Sequence, residues 1–344
     1  MGLAKKRHSA VRKKAGKPEL TLTGTPKQLA VLELLQDGPL PSTYIKTWLE
    51  PKYRYDGPRI HTYTDPLLTE LDDGHYIGMP EEAKTERVLY RPFVYELRPR
   101  GALLLVERDL WRPSDGSSDQ FKHRFMRSVI RFSFAMAPRE IAGLRLITEA
   151  DILANSKCPA TTRAEKYPSH VPLGSYTLKP DGTLFGYEYT NSTGARAFMF
   201  FHGFEADRGT EQQSKAAERK TIAAMIRNYT RYFSERVYAT RYGLSQASIP
   251  IVTNKPRRML NMMEFVRTEC PPGIQSRFMF KTIPDFREGF PPPTAHMVTE
   301  PWARIGAEPL HILETLKVTA ERKSHDPRAE ARPRGGTGSA EAQD

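Results

Sequence analysis

Glu205 and Asp207 stand two residues apart at the end of an apolar run, F-M-F-F-H-G-F over residues 198–204. On a strand that spacing puts both carboxylates on one face. A third acid, Asp181, sits upstream in a Pro-Asp-Gly turn. Carboxylates grouped in this way are ligands for a hard cation such as Mg²⁺, which at a phosphodiester stabilises the attacking and leaving oxygens. Such chemistry also needs a basic group near the attacking water. Lys215 is the best candidate, because it lies seven residues before Ile222 and a helix would aim it at the sheet; Lys220 points elsewhere. On this reading the catalytic set is Asp181, Glu205, Asp207 and Lys215, with Asp181, Glu205 and Asp207 holding Mg²⁺. A plainer reading competes with it. Pro-Asp-Gly is an ordinary turn whose aspartate accepts backbone bonds, and Glu205 and Asp207 then pair with Arg208 or nearby lysines. On that reading the chain is not an enzyme, and no cofactor is required.

A second set of residues suits a polyanion. The formal net charge is +12 over 344 residues, and the isoelectric point is about 9.6. That excess favours nucleic acid first and an anionic membrane surface second. Lys5, Lys6, Arg7, Arg12, Lys13 and Lys14 crowd the first 19 residues, which have little to bury and are expected to be disordered alone. They read either as a phosphate-tracking arm or as a solvated tail. Arg59, His61, Thr62 and Tyr63 lie at the N-terminal end of a short helical stretch and are candidates for base contacts. Arg87, Arg91 and Arg98 flank a ribbon and are candidates for phosphate contacts. The basic residues over 215–236 interleave with Tyr229, Tyr232 and Phe233, chiefly as an amphipathic helix with a solvated basic face.

Other chemistries find no support. The two cysteines, Cys158 and Cys270, lie far apart and form no C-x-x-C pair, which suits a reducing cytoplasm. The histidines show no H-x-x-x-H or H-E-x-x-H spacing for zinc. There is no phosphate-binding G-x-x-x-x-G-K-[ST] loop and no nucleophile elbow. No apolar run reaches the roughly 18 residues of a membrane span. The basic N-terminus is followed by no apolar stretch of signal-peptide type.

The elements that would position these residues follow from periodicity and punctuation. Residues 25–36 read as a helix with Pro26 at its first position, and 42–49 as a second with Ser42 as cap. Residues 62–71 make a third, compromised by Pro66. Strands at 75–77 and 93–97 and a helical run at 102–107 follow. Three helices, a Gly turn and a two-stranded ribbon are the order of a winged helix over residues 20–111. Residues 112–120 are a linker by composition. Residues 121–137 read as a helix with Phe121, Phe125, Val129 and Phe132 along one side. Strands are expected at 176–178, 184–189, 197–204, 249–253 and 277–282, and helices at 211–232 and 257–266. Thr210 and Gln213 fit a capping box for the first of these helices. Strands alternating with helices argue for an α/β domain with a central mixed sheet over 121–318, so that the whole chain is α+β. Residues 319–344 read as a disordered tail.

Three phrases carry a family resemblance: T-P-K-Q-L-A-V-L-E-L-L, then R-P-F-V-Y-E-L-R-P-R-G-A-L-L-L, then P-D-G with F-E-A-D-R-G-T-E ahead of a helix bearing lysines and N-Y. Together, over roughly residues 25–235, they resemble the replication-relaxation family of plasmid and mobile-element proteins. The resemblance implies a DNA-binding accessory role in plasmid replication and relaxation of supercoiled DNA, with double-stranded DNA and replication or relaxosome proteins as partners. A homodimer is a further expectation. The family's acids map to Asp181, Glu205, Asp207 and Glu211. The turn acid and strand-end acids also resemble the restriction-endonuclease-like site, whose usual ending is D/E-x-K; Asp207 here stands at the lysine position. The chain departs from the family in its proline-bearing third helix, in the G-T-L-F-G-Y-E-Y-T stretch after Pro-Asp, and in its long tails. Two alternatives remain: a metal-dependent nuclease using the same acids, and a non-enzymatic interaction or virion protein contacting nucleic acid.

Overall fold

A computed structural model describes residue 22 and residues 24–50, 66–85, 92–112, 120–208, 222–284 and 290–324. Helix α1 (Pro26–Leu35) starts as its sequence dictates. Thr25 and Gln28 form a reciprocal capping box and Pro26 follows at the first position. A short strand β1 (Leu40–Pro41) leads into α2 (Ser42–Leu49). Helix α3 (Pro66–Asp73) runs two residues past the expected end at 71, and residues 62–65 lie outside the described residues. Strand β2 (Ile77–Gly78), helix α4 (Glu81–Thr85), strand β3 (Val94–Leu97) and helix α5 (Pro99–Glu107) complete this part. Its three strands pair antiparallel in the order β1-β3-β2.

Helix α6 (Phe121–Glu140) is the hinge of the packing. A single apolar stripe was expected, yet Met126, Ile130, Phe134, Met136 and Ala137 are buried as well. Two neighbours explain the wider face. Tyr44 packs at a tilt on Phe132 with ring centroids 4.9 Å apart, and Phe134 meets Phe185 at 4.8 Å from the sheet side. The Tyr44 and Ser128 hydroxyls donate to the carbonyls of Pro291 and Pro39, tying α2 and the segment before β1 into the rest of the chain.

The larger part continues through β4 (Leu144–Ile147), α7 (Glu149–Leu153), α8 (Ala160–Arg163), β5 (Val171–Leu173), β6 (Tyr176–Leu178), β7 (Phe185–Thr190), β8 (Arg196–Phe201) and β9 (Glu205–Asp207). After it come α9 (Ile222–Ser234), α10 (Val237–Tyr242), β10 (Ile249–Thr253), α11 (Pro256–Glu269), α12 (Pro272–Gln275), β11 (Phe278–Thr282), α13 (His296–Thr299) and α14 (Ile312–Ser324). Strands β4-β7-β8 form an antiparallel sheet, and β11-β10-β9 a parallel one. A parallel bridge between Phe201 and Ser248 joins the two. The His202 N–H donates to the Ser248 carbonyl at 3.0 Å, and the Ser248 N–H to that of Phe200 at 3.1 Å. The chain of β8 therefore runs on into β9, and the strands make one mixed layer.

Helices cover both faces of that layer. Ile226, Tyr229, Met262 and Val266 from α9 and α11 pack on Ile249, Ile251, Phe278 and Phe280. Phe134, Met297 and Leu316 from α6, α13 and α14 pack with Val252, Met279 and Trp302 on the other side. Burial on both faces explains why β10 reads I-P-I-V-T without alternation. The mixed class expected from the sequence is observed.

Several expectations shift. Tyr176–Leu178 pairs with Val171–Leu173 in a separate hairpin instead of joining the main layer. The expected strand 197–204 ends at Phe201, and after a break that holds Gly203 a further strand, β9, carries Glu205–Asp207. Helix α14 runs to Ser324 with Ala320 fully buried, so packing extends past the expected end of the domain at 318.

Candidate functional site

The site grows from a close approach of two backbone segments. Gly203 adopts φ +68°, and a Cβ there would lie 2.1 Å from the Gly182 carbonyl oxygen. A Cβ on Gly182 would in turn lie 2.4 Å from the Phe204 ring. The glycines of P-D-G and H-G-F are thus what lets the turn lie against the strand. With that contact made, the Asp181 N–H donates to the Phe204 carbonyl at 3.0 Å. The Ala206 N–H donates to Asp181 Oδ2 at 2.8 Å. The other carboxylate oxygen of Asp181 lies 3.1 Å from His123 Nε2, and Arg127 Nε donates to the Asp181 main-chain carbonyl at 2.8 Å. The first turns of α6 are therefore fastened to the same junction.

Glu205 and Asp207 do share a face, the one covered by α9 and α11, while Ala206 belongs to the core on the α6 side. Glu205 is 6% exposed, and its Oε1 accepts a 2.7 Å hydrogen bond from the Tyr229 hydroxyl. Burial pushes that phenol well above its ordinary value, and the Glu205 charge pushes it further, so Tyr229 stays a donor. Asp207 is clamped by Arg258: Nε donates to Oδ2 at 2.6 Å and Nη2 to Oδ1 at 2.8 Å. Thr253 Oγ1 donates to Oδ2 as well, at 3.1 Å. This two-pronged pairing is the strong form of an arginine–carboxylate contact.

Of the site residues expected from sequence, the structure thus brings Asp181, Glu205 and Asp207 to one strand end. It gives each an internal donor. Among the described residues, no group of three His, Cys, Asp or Glu side chains could hold a metal ion. Asp207, with both oxygens on Arg258, does not fit as an Mg²⁺ ligand in this arrangement. Lys215, Glu211 and the Thr210/Gln213 cap lie outside the described residues. Among the described residues Asp207 is held by Arg258, which sequence reasoning missed. Arg208, an expected partner, reaches Gln120 at 3.4 Å. Arg258 follows Pro256 at a helix start, but no local signal links it to a carboxylate 51 positions earlier.

The buried neighbour of the site is His202, fully enclosed, with Nδ1 3.1 Å from the Tyr232 hydroxyl. Burial first, then the charges of Arg241 and His170, lower its pKa to about 3. Its Nε2 has no hydrogen-bond partner among the described residues.

Of the candidate DNA contacts, Lys5, Lys6, Arg7, Arg12, Lys13, Lys14, Arg59, His61, Thr62, Tyr63, Arg87 and Arg91 lie outside the described residues. Arg98 is placed: Nη2 donates to the Met79 carbonyl at 2.7 Å, and Nη1 lies 3.3 Å from Glu96. It braces β2 against β3, so a phosphate would compete with these contacts. On α9, Arg231 pairs with Glu235 at 2.7 Å and Arg227 approaches Glu269 at 3.7 Å, as a solvated basic face would. No described helix is long and apolar enough to cross a membrane.

No curated protein and no solved structure matches this chain. Residues 34–247, which run from α1 through the acidic strand end to the approach of β10, match the family described as replication-relaxation. With more than half its length inside that match, the chain belongs to the replication-relaxation family.

Proposed function

We propose that this protein is a DNA-binding accessory factor in the replication or relaxation of plasmid, phage or other mobile-element DNA. One observation carries the reading: α1, β1, α2, α3, β2, α4 and β3 follow in that order, and the strands pair as β1-β3-β2. That order supports a winged-helix reading, with a short helix inside the ribbon connection, in a chain of net charge +12. In helix-turn-helix units of this kind the last helix enters the major groove. Arg59, His61, Thr62 and Tyr63 immediately precede α3 in the chain, and Arg87 and Arg91 lie between β2 and β3, the wing position. The acids of β9 support an accessory role over a cutting one, because Arg258 occupies Asp207.

The test is binding to a preferred duplex against random duplex. Arg59→Ala and Tyr63→Ala are expected to weaken the preferred complex more, since base contacts carry discrimination of roughly 1–3 kcal/mol each. Equal losses on both DNAs would move these residues to phosphate holding. Absence of duplex binding by the intact protein would end the reading.

A further inference from the structure

The strand end that holds Asp181, Glu205 and Asp207 has an acidic floor and a basic rim. The floor is closed: Glu205 is buried under Tyr229, and Asp207 is locked by Arg258. The rim is built from two banks fastened to β9 on opposite sides. One bank is the start of α6 with the 179–182 turn, bringing Lys122 and Lys179; His123 and Arg127 anchor it to Asp181. The other is the junction of β10 and α11, bringing Lys255 and Arg257; Arg258 anchors it to Asp207. Arg208 follows directly after β9 and reaches Gln120 at the start of α6. Lys179, Lys255 and Arg257 are exposed. Glu205 and Asp207 are by contrast buried or nearly so.

We propose that this edge is a second DNA contact, a metal-independent clamp for the phosphodiester backbone of duplex DNA. It rests on the DNA-binding reading above and deepens it. The rim attracts phosphates from both banks at once, while the closed acidic floor repels them. A polyanion with evenly repeated charges can bridge the two banks, whereas one carboxylate of a peptide cannot. The phosphate is held at the rim and is not drawn down beside the strand-end acids, so the backbone is gripped and left intact. Such contacts position the protein without reading sequence.

The experiment measures binding of the full chain to a fluorescent random-sequence duplex in EDTA, over a range of salt. Lys255→Ala/Arg257→Ala changes two exposed side chains and is compared with Lys317→Ala/Arg322→Ala, the same charge change on α14. The rim pair is expected to weaken binding at least about tenfold near 0.1 M salt and to lower the salt slope by about 1.8, the release expected for two phosphate contacts. The α14 pair is expected to stay within twofold. Equal effects from the two pairs, or no effect from the rim pair while the wild type binds, would overturn the clamp and leave the N-terminal reading standing. Binding that requires Mg²⁺ would overturn the metal-independent grip in favour of a metal site. Failure of the wild type to bind any duplex would instead overturn the DNA-binding reading itself.

Discussion

At the scale of single residues, the acids of β9 are held by the chain's own donors, and this has measurable consequences. Asp207 and Arg258 are 10% and 15% exposed, so their pairing is poorly screened by water. Removing one partner strands the other charge. Arg258→Ala is expected to lose about 3 kcal/mol of stability, and the double change Asp207→Ala/Arg258→Ala to recover part of it. Chemical unfolding of the four proteins of the cycle checks this, and a single-variant loss under about 1 kcal/mol would show a surface-like contact. Two buried histidines set the acid limit. Burial lowers His202 to about 3 and His296 to about 4, while both titrate near 6.5 in the unfolded chain. Between those values the unfolded state binds the extra protons, so stability falls as pH drops below 6.5. At pH 5 each histidine costs about 2 kcal/mol relative to neutral pH. A urea midpoint that stays constant from pH 7 to pH 5 would contradict this.

At the scale of elements, the junction of the 179–182 turn with the β8–β9 break is the decisive contact. Gly203 has a left-handed backbone and no room for a methyl group against the Gly182 carbonyl. Gly203→Ala therefore combines backbone strain with a clash, and a loss of at least about 2 kcal/mol is expected. The Asp181 carboxylate would also leave the Ala206 N–H, so hydrogen exchange at that amide should rise in the variant. Unchanged protection at Ala206 would mean that the turn can move without losing its hold. The same junction explains the attachment of α6, whose His123 and Arg127 both reach Asp181.

At the scale of the whole molecule, charge governs behaviour. Binding to duplex DNA is expected to weaken steeply with salt, and deletion of residues 1–19 to flatten the slope, because that segment carries a dense group of lysines and arginines. Binding indifferent to salt between low and physiological concentrations would remove the electrostatic basis of the reading. A nicking assay on supercoiled plasmid with Mg²⁺ or Mn²⁺ is the complementary measurement. No nicking is expected. Nicking by the wild type that vanishes in both Glu205→Gln and Asp181→Asn would replace the accessory role with a nuclease.

Much of this architecture was legible in the chain itself. Thr25 and Pro26 announce α1, and the apolar periods of α9 and the unbroken run of β10 show which segments are buried. Glu205 and Asp207 share a face because strand geometry alone puts them there. These are local properties, decided by backbone sterics and by periods of 2 or 3.6 residues. What only tertiary structure decided was partnership. Asp207 found Arg258 from 51 positions away, Glu205 found Tyr229 beneath α9, and Asp181 found the Ala206 N–H through two glycines that permit close approach. Short elements such as β4, α7 and α10 escaped sequence reading for a related reason: a few residues carry too little pattern, and they hold their shape by packing on neighbours. A charge or hydrogen-bond donor carries no mark of its partner. The partner is set by which surfaces the fold presses together, and at this strand end that pairing gave Asp181, Glu205 and Asp207 each a donor from within the chain.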